Sequence, residues 1–197
     1  MGATIIIDKL LDSRNGVIRT ADVVNAGISR ATLGAFVKNG KLERIAHGQY
    51  IRPESIADEL FLLQRRSGKI IFSHETALFL HDMSERTPNL HSLTIPSNSK
   101  LSHVLADGCK VYYVKPDHYG IGRCTVMSKM GHEVITYNVE RTICDILRSR
   151  GRINSQVFVE AMKSNATRKD QNWMKLREYA EIFRVTNLLR QYLEVLT

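Results

Sequence analysis

Cysteine is scarce in this sequence of 197 residues, which holds only Cys109, Cys124 and Cys144. Because these three are odd in number, far apart and without a paired C-x-x-C spacing, they argue against a disulfide framework and against a zinc site. A reducing cytoplasm is the simplest setting for such a chain. A basic region followed by an unbroken apolar stretch is also missing near the N-terminus, where Asp8 and Lys9 interrupt the apolar run. We therefore expect neither a signal peptide nor a membrane span, and no membrane partner.

The motifs of common nucleotide and metal enzymes are missing as well. The nearest approach to a phosphate-binding loop, GAFVKNGKL, has one residue too many between its glycines and a leucine where Ser or Thr would bind magnesium. There is no E-x-K or D-x-K triplet of a PD-(D/E)xK nuclease, and the Gly-Ser and paired-aspartate pattern of nucleotidyltransferases is absent. His74, Glu75 and His81 do not form the H-E-x-x-H spacing of a zinc helix. The sequence therefore predicts a protein that is not an enzyme and that has no cofactor and no metal site.

Acidic residues are in the minority, and the excess of basic residues is unevenly distributed. The chain has 28 Lys and Arg against 20 Asp and Glu, a formal net charge of +8, which favours a polyanionic partner. Residues 1–53 hold eight Lys and Arg against four Asp and Glu, so half of the excess lies in about a quarter of the chain. This distribution predicts a basic N-terminal domain that binds nucleic acid.

The stretch from Gly16 to Arg52 has the helix starts and stops of a winged helix-turn-helix. Thr20 is expected to be the N-cap of a short helix that Gly27 ends, and Ser29 the N-cap of a second helix that Gly40 ends. Two helices joined by a short turn that contains glycine are typical of the helix-turn-helix motif.

A basic hairpin follows the second helix. We expect strands at Lys41 to Ala46 and Tyr50 to Ile51, joined at His47 and Gly48, where glycine permits a tight turn. This hairpin is the predicted wing. The residues before Gly16 are expected to form a first helix of the same domain.

The second helix of the motif has the faces of a recognition helix. Leu33, Phe36 and Val37 fall on one side and predict a core face, whereas Ala31, Gly34, Ala35 and Lys38 fall on the other. Small residues on the outer face would let the helix sit deep in a major groove. Since the N-terminal part of such a helix reaches the bases, Arg30 and Thr32 are the candidates for base contacts. The candidates for phosphate contacts, which position the protein but do not specify sequence, are Ser29, Lys38, Lys41, Arg44, His47 and Arg52. Arg19 and Thr20 complete the predicted DNA-binding set. Winged helices also serve as protein-interaction modules, and surface Lys and Arg are often merely solvated.

A second, larger domain is expected after Pro53, so that the predicted domains are residues 1–53 and 54–197. Its pattern predicts α+β structure, with helices and a small sheet followed by a helical C-terminal tail. We expect a helix from Ser55 through Gln64 and one that Ser73 caps and that ends at His81. The expected strands are Lys69 to Phe72, Leu93 to Ile95, Val111 to Val114, Cys124 to Met127 and Glu133 to Tyr137. Further helices are expected from Asn138 to near Gly151 and around Val157 to Met162, Trp173 to Phe183 and Val185 to Leu196.

Two groups of charged residues in this domain carry alternative interpretations. Arg141 and Asp145 stand four residues apart and are expected either to pair on a helix surface or to act in function, with Glu140 at the helix start. A run of basic residues across the strand region, together with Arg141, is either a second functional surface, for DNA, RNA or the activity of this domain, or an ordinary solvated face. Its members are Lys100, Lys110, Lys115, Arg123, Lys129 and Arg141.

The N-terminal pattern resembles a known family. The run G-x-x-x-x-x-D-V-x-x-A-G-I-S-R-x-x-L-x-x-x-V-x-x-G-x-L-E-R-I-x-x-G-x-Y, from Gly16 to Tyr50, is similar to the winged helix of the AbiEi family, antitoxins of type IV toxin-antitoxin systems of phage abortive infection. Farther along, SHETALFLHDM (Ser73 to Met83), LTIP (Leu93 to Pro96) and VERTICDIL (Val139 to Leu147) resemble helix, strand and helix landmarks of that family.

The resemblance implies two activities. The N-terminal domain would bind inverted repeats of double-stranded DNA in its own promoter and repress the operon, and the C-terminal domain would counter a nucleotidyltransferase-like toxin without forming a stable complex with it. The alternatives are a stand-alone regulator whose C-terminal domain senses a ligand or partner, and a DNA-processing enzyme that the N-terminal domain directs to DNA. Because the chain lacks a heptad zipper, we expect a monomer or weak dimer that assembles cooperatively on DNA.

Overall fold

A computed structural model describes residues 2–53 and 58–196 and divides the chain into two compact units, Met1–Asp58 and Glu59–Thr197. We call them the N-terminal unit and the C-terminal unit. The predicted helix start at Ser55 and Ile56 lies outside the described residues. The fold class is α+β, as the sequence predicts. Within the described ranges, no helix is long and apolar enough to cross a membrane.

The N-terminal unit is a three-helix domain with a small antiparallel sheet. Its helices are α1 (Ala3–Ser13), α2 (Thr20–Asn25) and α3 (Arg30–Lys38), and its strands are β1 (Ile18–Arg19), β2 (Glu43–Ala46) and β3 (Gln49–Ile51). The strand order is β1-β3-β2, so the hairpin of β2 and β3 gains a third strand from the segment just before α2. This two-residue strand was not predicted, because its pattern is too short to stand out in the sequence.

The helix ends in this unit are set by a side-chain cap and by glycines with positive φ. The Ser29 side chain caps α3 by accepting a hydrogen bond from the backbone N–H of Thr32 at 3.0 Å, as predicted. Gly27 ends α2 at φ 82°, and its N–H donates to the carbonyl of Val24. The next N–H, that of Ile28, bonds the carbonyl of Val23, which completes a Schellman motif. Gly40 ends α3 in the same manner, at φ 66°.

The prediction for the start of α2 was wrong. The N-cap is Arg19 and not Thr20, which is already the first helical residue. The carboxylate of Asp22 reaches back and accepts a hydrogen bond from the Arg19 backbone N–H at 2.8 Å. An acid at the third helical position therefore does the capping that the sequence pattern assigned to a hydroxyl.

The core of the N-terminal unit forms where the three helices and β1 meet. Its buried side chains come from α1, β1, α2 and α3 and from the turns after α2 and α3: Ile7, Leu11, Ile18, Val23, Ile28, Leu33 and Leu42. Ile28 just before the Ser29 cap and Leu33 at the fourth helical position lie in this one cluster, as expected of a hydrophobic staple.

The C-terminal unit is built on a mixed five-stranded sheet of order β6-β5-β4-β8-β7. Its strands are β4 (Ile71–Phe72), β5 (His91–Pro96), β6 (Cys109–Val114), β7 (Arg123–Met127) and β8 (Glu133–Tyr137). Its helices are α4 (Glu59–Arg66), α5 (His74–Leu80), α6 (His103–Ala106), α7 (Pro116–Tyr119), α8 (Val139–Arg148), α9 (Ser155–Thr167), α10 (Trp173–Ile182) and α11 (Thr186–Leu196), with a 3-10 turn at Arg150–Arg152. The pairs β5 with β6 and β4 with β8 are parallel, and the pairs β4 with β5 and β7 with β8 are antiparallel.

Helix α8 is the centre of the C-terminal unit. Asn138 caps it as predicted, and every residue from Val139 to Leu147 is buried. Its apolar side chains join those of α9, α10 and α11 in one cluster, whereas a second cluster lies between the sheet and α4. A helix buried on all sides must bury its charged residues too, which decides the environment of Glu140, Arg141 and Asp145.

Candidate nucleic-acid interface

The outer face of α3 is small and exposed, as the sequence predicts. Leu33 is buried, and Phe36 and Val37 pack against the same core. On the opposite side Ala31, Gly34, Ala35 and Lys38 are exposed. Without large side chains on this face, the helix axis can approach another surface closely.

Arg30 and Lys38 lie at opposite ends of α3, and their charges are unpaired in the described part of the chain. Both are exposed, and neither makes an ion pair or a side-chain hydrogen bond within residues 2–53 and 58–196. Arg30 is the first residue of the helix, next to the Ser29 cap, whereas Lys38 is the last. Thr32 is half-buried and its hydroxyl is 2.9 Å from that of Ser29, so the two hydroxyls form a hydrogen bond at the start of the helix.

The tip of the hairpin between β2 and β3 carries the wing side chains. A guanidinium nitrogen of Arg44 lies 3.1 Å from Nδ1 of His47, and Arg44 Nε donates to the Ala46 carbonyl at 3.3 Å. Gly48 follows at φ 66°. The Lys41 ammonium lies 5.6 Å from the centroid of the Phe36 ring and is exposed. The wing therefore presents Lys41, Arg44 and His47 to solvent.

The hairpin is anchored to the start of α2. The backbone N–H of Thr20 donates to the Gly48 carbonyl at 3.0 Å. A side chain at position 48 would bring its Cβ to 3.2 Å from the Thr20 hydroxyl. Arg19 and Thr20 are half-buried at this junction. Glycine at the tip thus allows the wing to lie against the first turn of the motif.

Arg52 differs from the other members of the predicted set because it is already paired. Its guanidinium donates to Asp12 at 2.8 Å and lies 3.5 Å from Asp8, both on α1. The hydrogen bond with Asp12 raises the pKa of Arg52. A phosphate would have to compete with these carboxylates for the Arg52 guanidinium.

The basic residues of the strand region do not form one patch of free cations. Lys100, Lys115 and Arg123 are exposed. Lys110 donates to the Arg152 carbonyl at 2.7 Å and lies 3.5 Å from Glu75, and Lys129 is paired with Asp82.

Arg141 does not belong to any surface, which corrects the prediction of an exposed pair. It is 1% exposed, and its Nε donates to Asp145 at 3.0 Å within the core. One terminal nitrogen donates to the carbonyls of His118 and Ile121, each at 2.9 Å. Its guanidinium is sandwiched between the rings of Tyr137 and Phe183, whose centroids lie 4.1 and 4.0 Å away. Burial raises the pKa of Asp145 although Arg141 acts in the opposite direction.

A polar cluster that the sequence did not reveal lies next to this pair. The imidazole of His74 stacks on Tyr112 with ring centroids 3.5 Å apart. Its Nδ1 lies 2.9 Å from the hydroxyl of Ser73, and its Nε2 lies 3.0 Å from that of Ser149. His74, Tyr112 and Ser149 are far apart along the chain, so no spacing in the sequence could have predicted that they meet.

Comparisons with known proteins agree with the N-terminal pattern. Residues 6–53 match the family described as "Transcriptional regulator, AbiEi antitoxin". No curated protein sequence matches the chain. The whole fold is similar to the crystal structure of the RV2827C protein from Mycobacterium tuberculosis, with a TM-score of 0.67 and 14% identity over 96% of this chain and 76% of that one. At that identity the likeness is one of fold alone.

The family match covers most of α1 and all of α2, α3 and the wing, so it includes the exposed face of α3 described above. It confirms the resemblance drawn from the residues between Gly16 and Tyr50. The matched part of the chain, residues 6–53, is therefore similar to the AbiEi family of antitoxin transcriptional regulators.

Proposed function

We propose that the chain is a cytoplasmic transcriptional repressor that binds inverted repeats in its own promoter and acts as the antitoxin against a nucleotidyltransferase-like toxin of a type IV, phage-defence system. The observation that carries the proposal is the exposed outer face of α3, whose small residues lie between the uncommitted charges of Arg30 and Lys38. This combination suits a helix that enters the major groove of double-stranded DNA.

The two ends of α3 are assigned different tasks. Arg30 lies at the N-terminal end, which in this motif faces base edges, and a guanidinium can bind guanine through two hydrogen bonds. Lys38 lies at the other end with Lys41 and Arg44 following in the wing, and we assign these three to phosphates. Phosphate contacts release counterions and make binding depend on salt, but they carry no sequence information. Ser29, Thr32 and His47 complete the polar rim of the interface.

Repression and toxin neutralisation are assigned to different units. The family description supports a regulator and an antitoxin, and the N-terminal unit holds the residues that match it. We assign antitoxin activity to the C-terminal unit and the inverted repeats to two copies of the chain, each placing α3 in one half-site. No stable complex with the toxin is expected in a system of this type.

The test is a gel shift of the full chain on the DNA upstream of its own gene. We expect binding at a concentration at least about a hundredfold lower than on a scrambled duplex of equal length, because specific contacts typically add several kcal/mol to non-specific binding. A reporter driven by that upstream DNA should be repressed when the chain is expressed. Equal affinity for the scrambled duplex would contradict a sequence-specific repressor.

The antitoxin assignment needs a separate experiment. If the neighbouring gene encodes a nucleotidyltransferase whose expression stops growth, co-expression of this chain should restore growth without the two proteins co-purifying. Failure to restore growth would leave a stand-alone regulator as the better description of the protein.

A further inference from the structure

A basic cleft of about 570 Å³ opens on the C-terminal unit between the end of β6, α7 and the turn after α10. Its polar lining comes from Ser97, Lys115, His118, Arg148 and Arg184. None of the described residues that line it is an Asp or a Glu. We call it the basic cleft. Its volume is within the range of small-molecule sites in proteins.

The cations of the basic cleft come from three separate parts of the fold. Lys115 precedes α7, Arg148 is the last residue of α8, and Arg184 follows α10 in a left-handed backbone conformation, at φ 56°. None of the three makes an ion pair with a carboxylate in the described part of the chain. A cation at a helix C-terminus is favoured by the helix dipole, which accounts for Arg148 and Arg184 but not for Lys115 at the start of α7.

A smaller cavity of about 30 Å³ adjoins the cleft and shares Tyr113, Val114 and Arg148 with it. Its wall includes Tyr112, a residue that is 6% exposed. The Tyr112 hydroxyl is buried and has no hydrogen-bond partner among the residues that the structure describes. Burying a hydroxyl without a hydrogen-bond partner costs free energy of folding. The Tyr112 hydroxyl, at the floor of the site, is therefore a polar group that a ligand could satisfy.

The electrostatic surroundings of the floor are positive. His74, which also lines the smaller cavity, has its pKa lowered well below its usual value, chiefly by burial and then by the charges of Arg141, Lys110, Arg152 and Arg148. Asp145 is engaged with Arg141, and Glu75 lies beside Lys110. The carboxylates in this region are therefore already paired, and the positive charge of the cleft is not balanced from within.

We propose that the basic cleft binds a phosphate monoester, with its dianionic oxygens held by Arg148, Lys115 and Arg184 and one oxygen directed towards the Tyr112 hydroxyl. Arg and Lys are the side chains that bind phosphate most strongly, Arg through paired hydrogen bonds. The apolar lining from Val114, Ile182 and Phe183 would contact the organic part of the ligand. A free metabolite and the 5′ end of a nucleic-acid strand both carry this chemistry.

The proposal is tested with the full chain by calorimetry at constant ionic strength, with phenyl phosphate, inorganic phosphate and benzyl alcohol as probes. We expect one saturable site per chain for phenyl phosphate, weaker binding of inorganic phosphate and none of benzyl alcohol. Absence of saturable binding of phenyl phosphate would overturn the proposal.

A pair of oligoribonucleotides, one with a 5′ phosphate and one with a 5′ hydroxyl, identifies the source of the phosphate. If the phosphorylated strand binds more tightly, and this advantage disappears in Arg148→Ala, the cleft receives strand ends. If both strands bind equally while phenyl phosphate still saturates one site, it receives a free small molecule. Either result agrees with a phosphate site.

Substitutions distinguish specific binding in the basic cleft from non-specific electrostatic attraction to the basic protein. Arg148→Ala should weaken phenyl phosphate binding about tenfold or more, since a charge-assisted hydrogen bond is typically that strong. Arg150→Ala is the matched control, because it removes the same charge two residues away from a side chain that does not line the cleft. Equal losses in the two variants would overturn the proposal. If circular dichroism finds Arg148→Ala unfolded, Lys115→Ala takes its place with the same expectation.

Tyr112→Phe tests the floor of the site. It keeps the ring that stacks on His74 and removes only the unpartnered hydroxyl, so the fold should be retained. We expect several-fold weaker binding of phenyl phosphate. Unchanged affinity would contradict the placement of a phosphate oxygen at Tyr112.

Discussion

At the scale of single residues, basic side chains of the same chemical type occupy opposite environments in this protein. Arg30 is exposed at the start of α3, whereas Arg141 is 1% exposed and bonded to Asp145 and two backbone carbonyls. Arg52 lies between these extremes, since it is half-buried and paired with α1. Only the first kind has its full charge available to a partner, so the sharpest functional tests lie at Arg30 and Lys38.

Arg30→Ala and Lys38→Ala should weaken DNA binding in different ways. Loss of a paired contact to a base should cost about 1–3 kcal/mol on the preferred site and little on scrambled DNA, so Arg30→Ala reduces discrimination. Lys38→Ala should remove a phosphate contact and therefore weaken binding to all sequences alike. It should also reduce the steepness of the slope of log K against log salt concentration by roughly one unit. Gel shifts on both duplexes over a range of salt concentrations measure the two effects.

Lys9→Ala is the control for these variants, because it removes one exposed charge from α1 of the same unit. It should change affinity only slightly. If Arg30→Ala and Lys38→Ala have the same effect on both duplexes, the division into a base contact and a phosphate contact is wrong.

Because the pKa of the buried His74 is lowered, we expect the C-terminal unit to lose stability in mild acid. Burial holds its pKa well below the ordinary value of 6.5 that it regains on unfolding. The unfolded chain therefore binds the proton more readily, and stability present above about pH 6.5 falls as the pH is lowered towards the folded-state pKa. His81, whose pKa is also lowered, acts in the same direction.

The expected loss from His74 is about 1 kcal/mol between about pH 7.5 and pH 5.5. Denaturant titrations at the two pH values measure it. His74→Asn is the comparison, since asparagine tolerates the left-handed backbone at φ 48° and does not titrate. A pH slope that is as steep in the variant as in the wild type would show that other groups cause it.

At the scale of secondary-structure elements, turns decide how closely the elements pack. Gly122, between α7 and β7, has φ 76°, and its carbonyl accepts a hydrogen bond from the Asn138 N–H at 2.7 Å. A side chain there would place its Cβ 2.6 Å from the Cβ of Arg141. The turn thus lies directly against the first turn of α8, the most buried helix of the unit.

Gly122→Ala should be far more destabilising than Gly131→Ala. Both positions have positive φ, which costs an L residue about 1–2 kcal/mol, but position 131 has no atom within 4 Å of the added Cβ. Overpacking against Arg141 should add about 1–3 kcal/mol at position 122. Thermal or urea unfolding of the two variants measures the difference, and equal losses would mean that α8 yields to the added methyl group without cost.

At the scale of the whole molecule, the chain consists of two units with separate cores. Ile7, Leu33 and their neighbours form the core of the N-terminal unit, and α8 organises that of the C-terminal unit. Units with their own cores can carry separate activities. We therefore expect repression and antitoxin activity to be separable by substitutions that leave both cores intact.

The double variant Arg30→Ala, Lys38→Ala in the full chain tests this separation. It should fail to repress a reporter driven by the upstream DNA, because both ends of α3 lose their contacts, yet restore growth to cells that express the toxin. Growth assays at matched protein levels, with Lys9→Ala as control, give the readout. Loss of rescue in the double variant would assign antitoxin activity to the DNA-binding face.

Local signals in the sequence determined most of the secondary structure. The Ser29 and Asn138 caps, the glycine stops at Gly27 and Gly40 and the strand Glu133–Tyr137 each depend on a few adjacent residues, and the structure agrees with them. The faces of α3 were predictable for the same reason, since helical periodicity alone sets them. The Thr20 prediction was wrong because an acid three residues beyond Arg19 competes for the same capping role.

Tertiary structure alone decided which charges are buried and which polar groups meet. Nothing in VERTICDIL distinguishes a surface pair from a buried one, because the burial of Arg141 depends on Tyr137, Phe183 and the α7 turn packing around it. The strand order and the meeting of His74, Tyr112 and Ser149 likewise result from contacts between distant parts of the chain. The sequence by itself determined most of the helices and strands and the basic N-terminal domain, since local hydrogen bonding and periodicity specify them. The basic cleft and the buried ion pair exist only because long-range packing brings their residues together.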